Sequence, residues 1–168
     1  MSNKPGSIPA NLNGNGIRVG VVQARFNQEI TDGLWAACCG ELLSLGVENE
    51  DMLHLTVPGA MEIPLVLQRL AQSSEFDALI ALGAVIKGGT YHFELVCNES
   101  ARGISQVAQD FDIPVVNMVL TTYTEDQAIE RIEEKGVDAA RCAVEMANVM
   151  LSLDDNLPGL DEDEDDDE

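Results

Sequence analysis

The chain has 168 residues, 45% of them hydrophobic, which suffices for one domain with a full core and calls for no second. Its formal net charge is −21, but ten of the thirty acids fall between Asp154 and Glu168, so the body carries twenty acids against nine bases, or −11. That balance argues against nucleic acid as a partner, since phosphate recognition needs a basic footprint, and the short, interrupted apolar runs exclude a membrane-spanning segment.

In chain order, residues 1–16 are polar, with prolines, glycines and only Ile8 and Leu12 as apolar anchors, the pattern of an extended arm. The arm has no apolar stretch before a cleavage site, so no signal peptide is expected and the cytoplasm is the expected compartment. Residues 17–23 (IRVGVVQ) read as a first strand. Thr31 and Asp32 are placed to cap the helix that follows, whose stripe of Leu34, Trp35, Cys38, Cys39, Leu42, Leu43 and Leu45 stops at Gly46. A second strand, 52–57, ends at Pro58-Gly59, and a helix begins near Met61 with Pro64 in its first turn. The apolar run 78–86 predicts a buried third strand; Lys87-Gly88-Gly89-Thr90 breaks it, and a long amphipathic helix follows from about His92. Residues 114–120 form the fourth strand. Two helical patterns close the domain, 124–135 and 137–153, and the acidic segment 154–168 reads as a self-repelling, disordered tail.

Four alternations of strand and helix predict an α/β fold with a parallel four-stranded sheet and helices on both faces, spanning 17–153. Phe26, residues 58–62, residues 87–92 and Thr121-Thr122 each follow the end of a strand. They therefore share one edge of the sheet, where ligands bind in open α/β folds. The four cysteines lack metal-ligand spacing and read as reduced core thiols.

The chemistry available at that edge is specific in kind. Gly88-Gly89-Thr90 before a helix start can present backbone N–H groups to an anion, and Arg131 can add a guanidinium fork to a phosphate or stand as a solvated surface group. His92 suits proton transfer near neutrality, or serves structurally. Glu62 either favours its helix dipole or accepts hydrogen bonds from hydroxyls. Phe26 either stacks on a flat heterocycle or staples into the next helix. His54, inside a strand, has no such placement. Spacing alone stops at a small-molecule site for a phosphate-bearing ligand.

The motifs RFNQEIT (25–31), VPGAMEIP (57–64), ALGAVIKGGTYHFELVCNES (81–100), PVVNMVLTT (114–122) and EDQAIERIEEKG (125–136) occur in unbroken order across residues 17–151. Together they resemble the lumazine synthase family. That resemblance implies a flavodoxin-like three-layer sandwich with an extended N-terminal arm. It also implies condensation of 5-amino-6-ribitylaminouracil with 3,4-dihydroxy-2-butanone 4-phosphate in riboflavin synthesis, with no metal or cofactor. Carried over by motif, Phe26 stacks on the pyrimidine; Ala60, Met61 and Glu62 meet the ribityl chain; Val85 and Ile86 line the ring pocket. Gly89 and Thr90, with Arg131, hold the phosphate, Lys87 is a further substrate-binding residue, and His92 shuttles protons. The resemblance further implies a homopentamer whose sites are shared, with Arg131 and the strand around Asn117 reaching a neighbour. A sixty-subunit shell and riboflavin synthase as a partner are further expectations.

Three positions depart from the family pattern. Met61 and Asn117 stand where aromatic residues are common, the first a flexible filler and the second more polar. A longer Gly-Asn-Lys-Gly connection is common between the last two helices, whereas here Lys135-Gly136-Val137 joins them directly, leaving Lys135 as the candidate substitute for the missing lysine. The rival reading is a non-catalytic protein of the same fold that binds a flavin precursor or forms a cage.

Overall fold

The apolar, β-branched segments become four strands in the computed structural model, which describes residues 6–157: β1 (Val19–Ala24), β2 (Met52–Val57), β3 (Ala78–Ile86) and β4 (Val115–Thr122). All pair in parallel, in the order β2-β1-β3-β4. The two central strands are buried nearly throughout and so read as continuous apolar runs, while the edge strands β2 and β4 carry exposed positions.

The helices are α1 (Gln28–Leu45), α2 (Ile63–Gln72), α3 (His92–Phe111), α4 (Glu125–Ile129) and α5 (Ile132–Asn156). Successive strand residues point to opposite faces, so Val21 enters one core with Leu34, Cys38, Leu42, Ala140 and Val144 of α1 and α5. Val22 enters the other, with Ile63 and Leu67 of α2 and Ile104 and Val107 of α3. Leu34, Leu42, Ile63 and Leu67 are fully buried, each stabilising the fold by roughly 1.5–3 kcal/mol. The result is a three-layer flavodoxin-like α/β sandwich.

The structure differs from the sequence expectation in four places. First, α1 starts at Gln28, and Thr31 and Asp32 lie inside it. They serve Gln23, a buried side chain on β1 that must be satisfied: its Nε2 donates to Thr31 Oγ1 (3.2 Å) and Asp32 Oδ1 (2.7 Å). Its Oε1 then accepts from His54 Nε2 (2.8 Å), whose ring stacks on Trp35 at 4.1 Å. His54 thus fixes the edge strand β2 against β1 and α1.

Second, the break between the last helices falls at Glu130-Arg131. Lys135 and Gly136 are inside α5 and form no connection. Gly136 is buried at the crossing with α1, where a Cβ would lie 2.5 Å from Ala37 Cβ and 2.8 Å from the Leu34 carbonyl. The glycine there permits close helix approach. Third, α5 runs to Asn156, so Asp154 and Asp155 are helical; residues 158–168 of the expected tail, like 1–5 of the arm, lie outside the described residues. Fourth, Cys38 is buried but Cys142 is exposed, because it falls opposite the α5 face that buries Ala139, Ala140, Ala143 and Ala147. Residues 6–18 form neither helix nor strand, and Asn148 of α5 donates to the carbonyls of Asn11 (2.8 Å) and Asn13 (3.0 Å).

Candidate active site

The chain leaves β1 toward β2 and returns to place β3 on the other side of β1, which makes the β1–β3 boundary the switch point of the sheet. Pairing between these strands ends at Gln23 and Leu82, whereas β3 continues beside β4 to Ile86 and Thr122. The opened seam becomes a cavity of about 410 Å³, of a size suited to a small organic ligand.

Each wall comes from a strand end. β1 supplies Ala24 and then Phe26; β2 supplies Pro58 through Glu62; β3 supplies Ala84, Val85 and Ile86, then Gly88 and Thr90; and the first turns of α3 add His92, Phe93 and Val96. Phe26 is 72% exposed, which argues against the staple reading, since a staple would be packed against α1. Ala60–Glu62 form a single 3₁₀ turn tied by the Glu62 N–H to the Gly59 carbonyl (3.2 Å). Glu62 then opens α2 without capping it, so its carboxylate remains available to the cavity it lines. Nothing lies within 4 Å of where a Cβ would stand on Gly88 or Gly89, so the backbone of that turn is uncovered there. No side chain caps α3, and Thr90 Oγ1 accepts from the His92 N–H at 3.4 Å.

Eight residues expected at the site thus converge: Phe26, Ala60, Met61, Glu62, Val85, Ile86, Thr90 and His92. Five do not. Lys87 Nζ lies 5.4 Å from the centre of the Tyr123 ring, and Gly89 stands in the turn beside Gly88 and Thr90 without lining the cavity itself. Arg131 donates through Nη1 to the Gln127 carbonyl (2.8 Å), and Lys135 pairs with Asp138 (3.8 Å). Asn117 lies on the outer strand β4, where its Oδ1 accepts from the Val119 N–H (3.0 Å) beside a second recess of about 300 Å³ that also includes Cys97, Ser100 and Thr121. Thr121 and Thr122, expected at the shared edge, do not line the main cavity either, because β4 is one strand removed from the switch point; Thr122 Oγ1 donates to the Thr124 carbonyl (2.8 Å). No Lys or Arg lines the cavity among the described residues.

Ala24, Ala84, Phe93 and Val96 line the cavity without having been singled out for it. Phe93 and Val96 were legible in principle, since they follow His92 on one helical face. The two alanines carry no signal beyond small size at a strand end.

Comparison with known proteins agrees with this architecture. The family model described as 6,7-dimethyl-8-ribityllumazine synthase matches residues 16–151. A 6,7-dimethyl-8-ribityllumazine synthase of Cupriavidus necator is 57% identical over 163 residues, covering 97% of this chain and 98% of that protein. Proteins of the same name from Burkholderia mallei and Burkholderia pseudomallei are 61% identical over 149 residues, covering 89% of this chain and 86% of theirs. With the family's match running from the start of the strand-forming region nearly to the end of α5, the chain belongs to the 6,7-dimethyl-8-ribityllumazine synthase family.

Proposed function

We propose that the chain is a transferase that condenses 5-amino-6-ribitylaminouracil with 3,4-dihydroxy-2-butanone 4-phosphate to 6,7-dimethyl-8-ribityllumazine, releasing phosphate and water, in riboflavin synthesis. The observation that carries this reading is the convergence of Phe26, Glu62, Thr90 and His92 on one crevice at the switch point of the sheet, in a chain of this family.

The pyrimidine lies between the exposed face of Phe26 and the Val85-Ile86 wall. Glu62 accepts hydrogen bonds from ribityl hydroxyls, with Ala60 and Met61 alongside. The amine of one substrate attacks the carbonyl of the other to form an imine with loss of water. Phosphate is eliminated to leave an enol that tautomerises to a second carbonyl, and the second nitrogen attacks that carbonyl, closing the ring with loss of a second water. His92 takes and returns protons in these steps, a role worth about 10²- to 10⁴-fold in rate. Thr90 and the bare turn at Gly89 offer donors to the phosphate, where negative charge develops as it leaves.

The phosphate also requires a cation, and none lines the cavity of one subunit. Arg131, Lys135 and Asn117 stand at the surface away from it. The chain therefore acts as a homopentamer in which these residues enter the crevice of the adjacent copy, with Lys87 at the rim. The test is to purify Arg131→Ala and His92→Ala, measure each alone by the absorbance and fluorescence of the lumazine product against an enzyme-free control, then dissociate, mix and reassemble them. Random assembly gives about a quarter of the sites both His92 and Arg131. Recovery of rate well above the mean of the two variants is expected; no recovery places Arg131 and His92 in the same subunit's site or removes one from the reaction.

A further inference from the structure

Asn27 follows Phe26 and stands beside the main cavity without lining it. β1 stops pairing with β3 at Leu82, and two residues further on the buried Ala84 has lost its strand partner on that side. A buried carbonyl left unmet there would be costly. Asn27 Nδ2 donates to the Ala84 carbonyl at 2.8 Å, so a side-chain amide stands in where the strand's backbone has turned away.

The conformation of Asn27 fits that single use. Its backbone is left-handed (φ 59, ψ 49), a region that asparagine tolerates better than most residues. Its carbonyl starts α1 by accepting from the Ile30 N–H (3.0 Å) and the Thr31 N–H (3.2 Å). At this position an asparagine side chain ordinarily caps the helix, yet Asn27 makes no such bond. Its side chain instead spans the seam.

The preceding residues are tied on the opposite side. The Arg25 N–H donates to the Val57 carbonyl (2.8 Å) and the Phe26 N–H to that of Pro58 (3.1 Å). Phe26 is thus strung between the β2 exit and β3, and since its ring is 72% exposed, these backbone ties rather than side-chain packing set where it stands. We propose that Asn27 is a positioning residue: through Ala84 it fixes the gap between the Phe26 ring and the Val85-Ile86 wall, and so the slot available to a flat heterocycle. Naming that heterocycle as the pyrimidine rests on the function proposed above.

Two variants test this. Asn27→Gly keeps the left-handed backbone unstrained and deletes the bond; Asn27→Asp keeps the shape and sets a carboxylate against the Ala84 carbonyl. Equilibrium binding is measured with 5-amino-6-ribitylaminouracil alone and with inorganic phosphate alone. In both variants the dissociation constant for the pyrimidine rises about five- to tenfold, the loss expected of one hydrogen bond, while that for phosphate is unchanged. A pyrimidine constant within about twofold of the wild type, with only the melting temperature lowered, overturns the proposal and leaves Asn27 as a fold residue. Failure of the wild-type protein to bind the pyrimidine refutes the proposed function instead. The tether is then judged from the crystal structure of Asn27→Gly: a displaced Phe26 ring upholds it, and a ring at the wild-type position overturns it.

Discussion

Replacing Gly136 by alanine probes the closest approach between α1 and α5, and its cost can be worked from the geometry. The added methyl would stand 2.5 Å from Ala37 Cβ, 2.8 Å from the Leu34 carbonyl oxygen and 3.2 Å from the Cys38 nitrogen. Two of the three are α1 backbone and cannot rotate away, so the helices must separate along a contact that keeps Leu34 and Cys38 fully buried. Overpacking of this kind costs about 1–3 kcal/mol, and the better helix propensity of alanine offsets about 0.8–1.0 kcal/mol of it. The net is a destabilisation of up to about 2 kcal/mol, which lowers the melting temperature by about 2–4 °C for each kcal/mol in a chain of this size. Gly40 supplies the control: it lies within α1, but nothing is within 4 Å of its Cβ position. Gly40→Ala should therefore stabilise by about 0.5–1 kcal/mol. Urea and thermal unfolding of the three proteins at one fixed concentration, so that assembly contributes equally, measure both effects. The reasoning is refuted if Gly136→Ala melts at or above the wild type, or if both substitutions shift stability in the same direction.

Three further outcomes follow from the same geometry. Burial, with a smaller contribution from Cys39, pushes the Cys38 thiol up to about 12, so a thiol reagent at neutral pH should leave Cys38 unmodified in the native protein while exposed Cys142 is labelled, as peptide mass mapping will show. Desolvation lowers the pKa of His54 against the opposing pull of Asp32, so the unfolded chain binds the proton more readily. This stability is full above about pH 6.5 and is lost as the pH falls through the lower folded value, so the pH dependence of the urea midpoint should be shallower in His54→Gln, with fluorescence of the only tryptophan, Trp35, as the probe. His92→Ala should lower kcat by about 10²- to 10⁴-fold without unfolding the protein, since its side chain is exposed at the start of α3; a full rate would remove His92 from the proton transfers.

The strands and the site edge were legible because they rest on local signals. The limits of β2 and β3 follow from Pro58 and from the glycines after Lys87, residues that end a strand by their own chemistry. Where the reading failed, the cause was tertiary. Gly136 looks like a connection because glycine usually interrupts a helix, and only the approach of α1 explains its place inside α5. Thr31 and Asp32 look like a cap because nothing local announces that Gln23 will be buried and need them. Asn117, Lys135 and Arg131 were expected at the site through motifs alone, and within one subunit none of them lines the cavity.

Arg131 is held by few contacts. The break at Glu130-Arg131 places it at the entrance of α5, with the side chain 46% exposed and Glu130 4.0 Å away. Its one close bond is to a backbone carbonyl near solvent, and an exposed ion pair at that distance contributes little, about 0–1 kcal/mol. A guanidinium gripping a phosphate through two parallel, charge-assisted bonds gains considerably more than it gives up. The cavity presents the reverse imbalance, with the carboxylate of Glu62 and no cation among the described residues that line it, in a chain whose body carries −11. On the proposed function, the phosphate of the substrate would be held more tightly with an arginine brought to that wall than by the wall alone. The loosely held Arg131 and the cation-poor crevice are the two observations that support the proposed sharing of the site between copies of the chain.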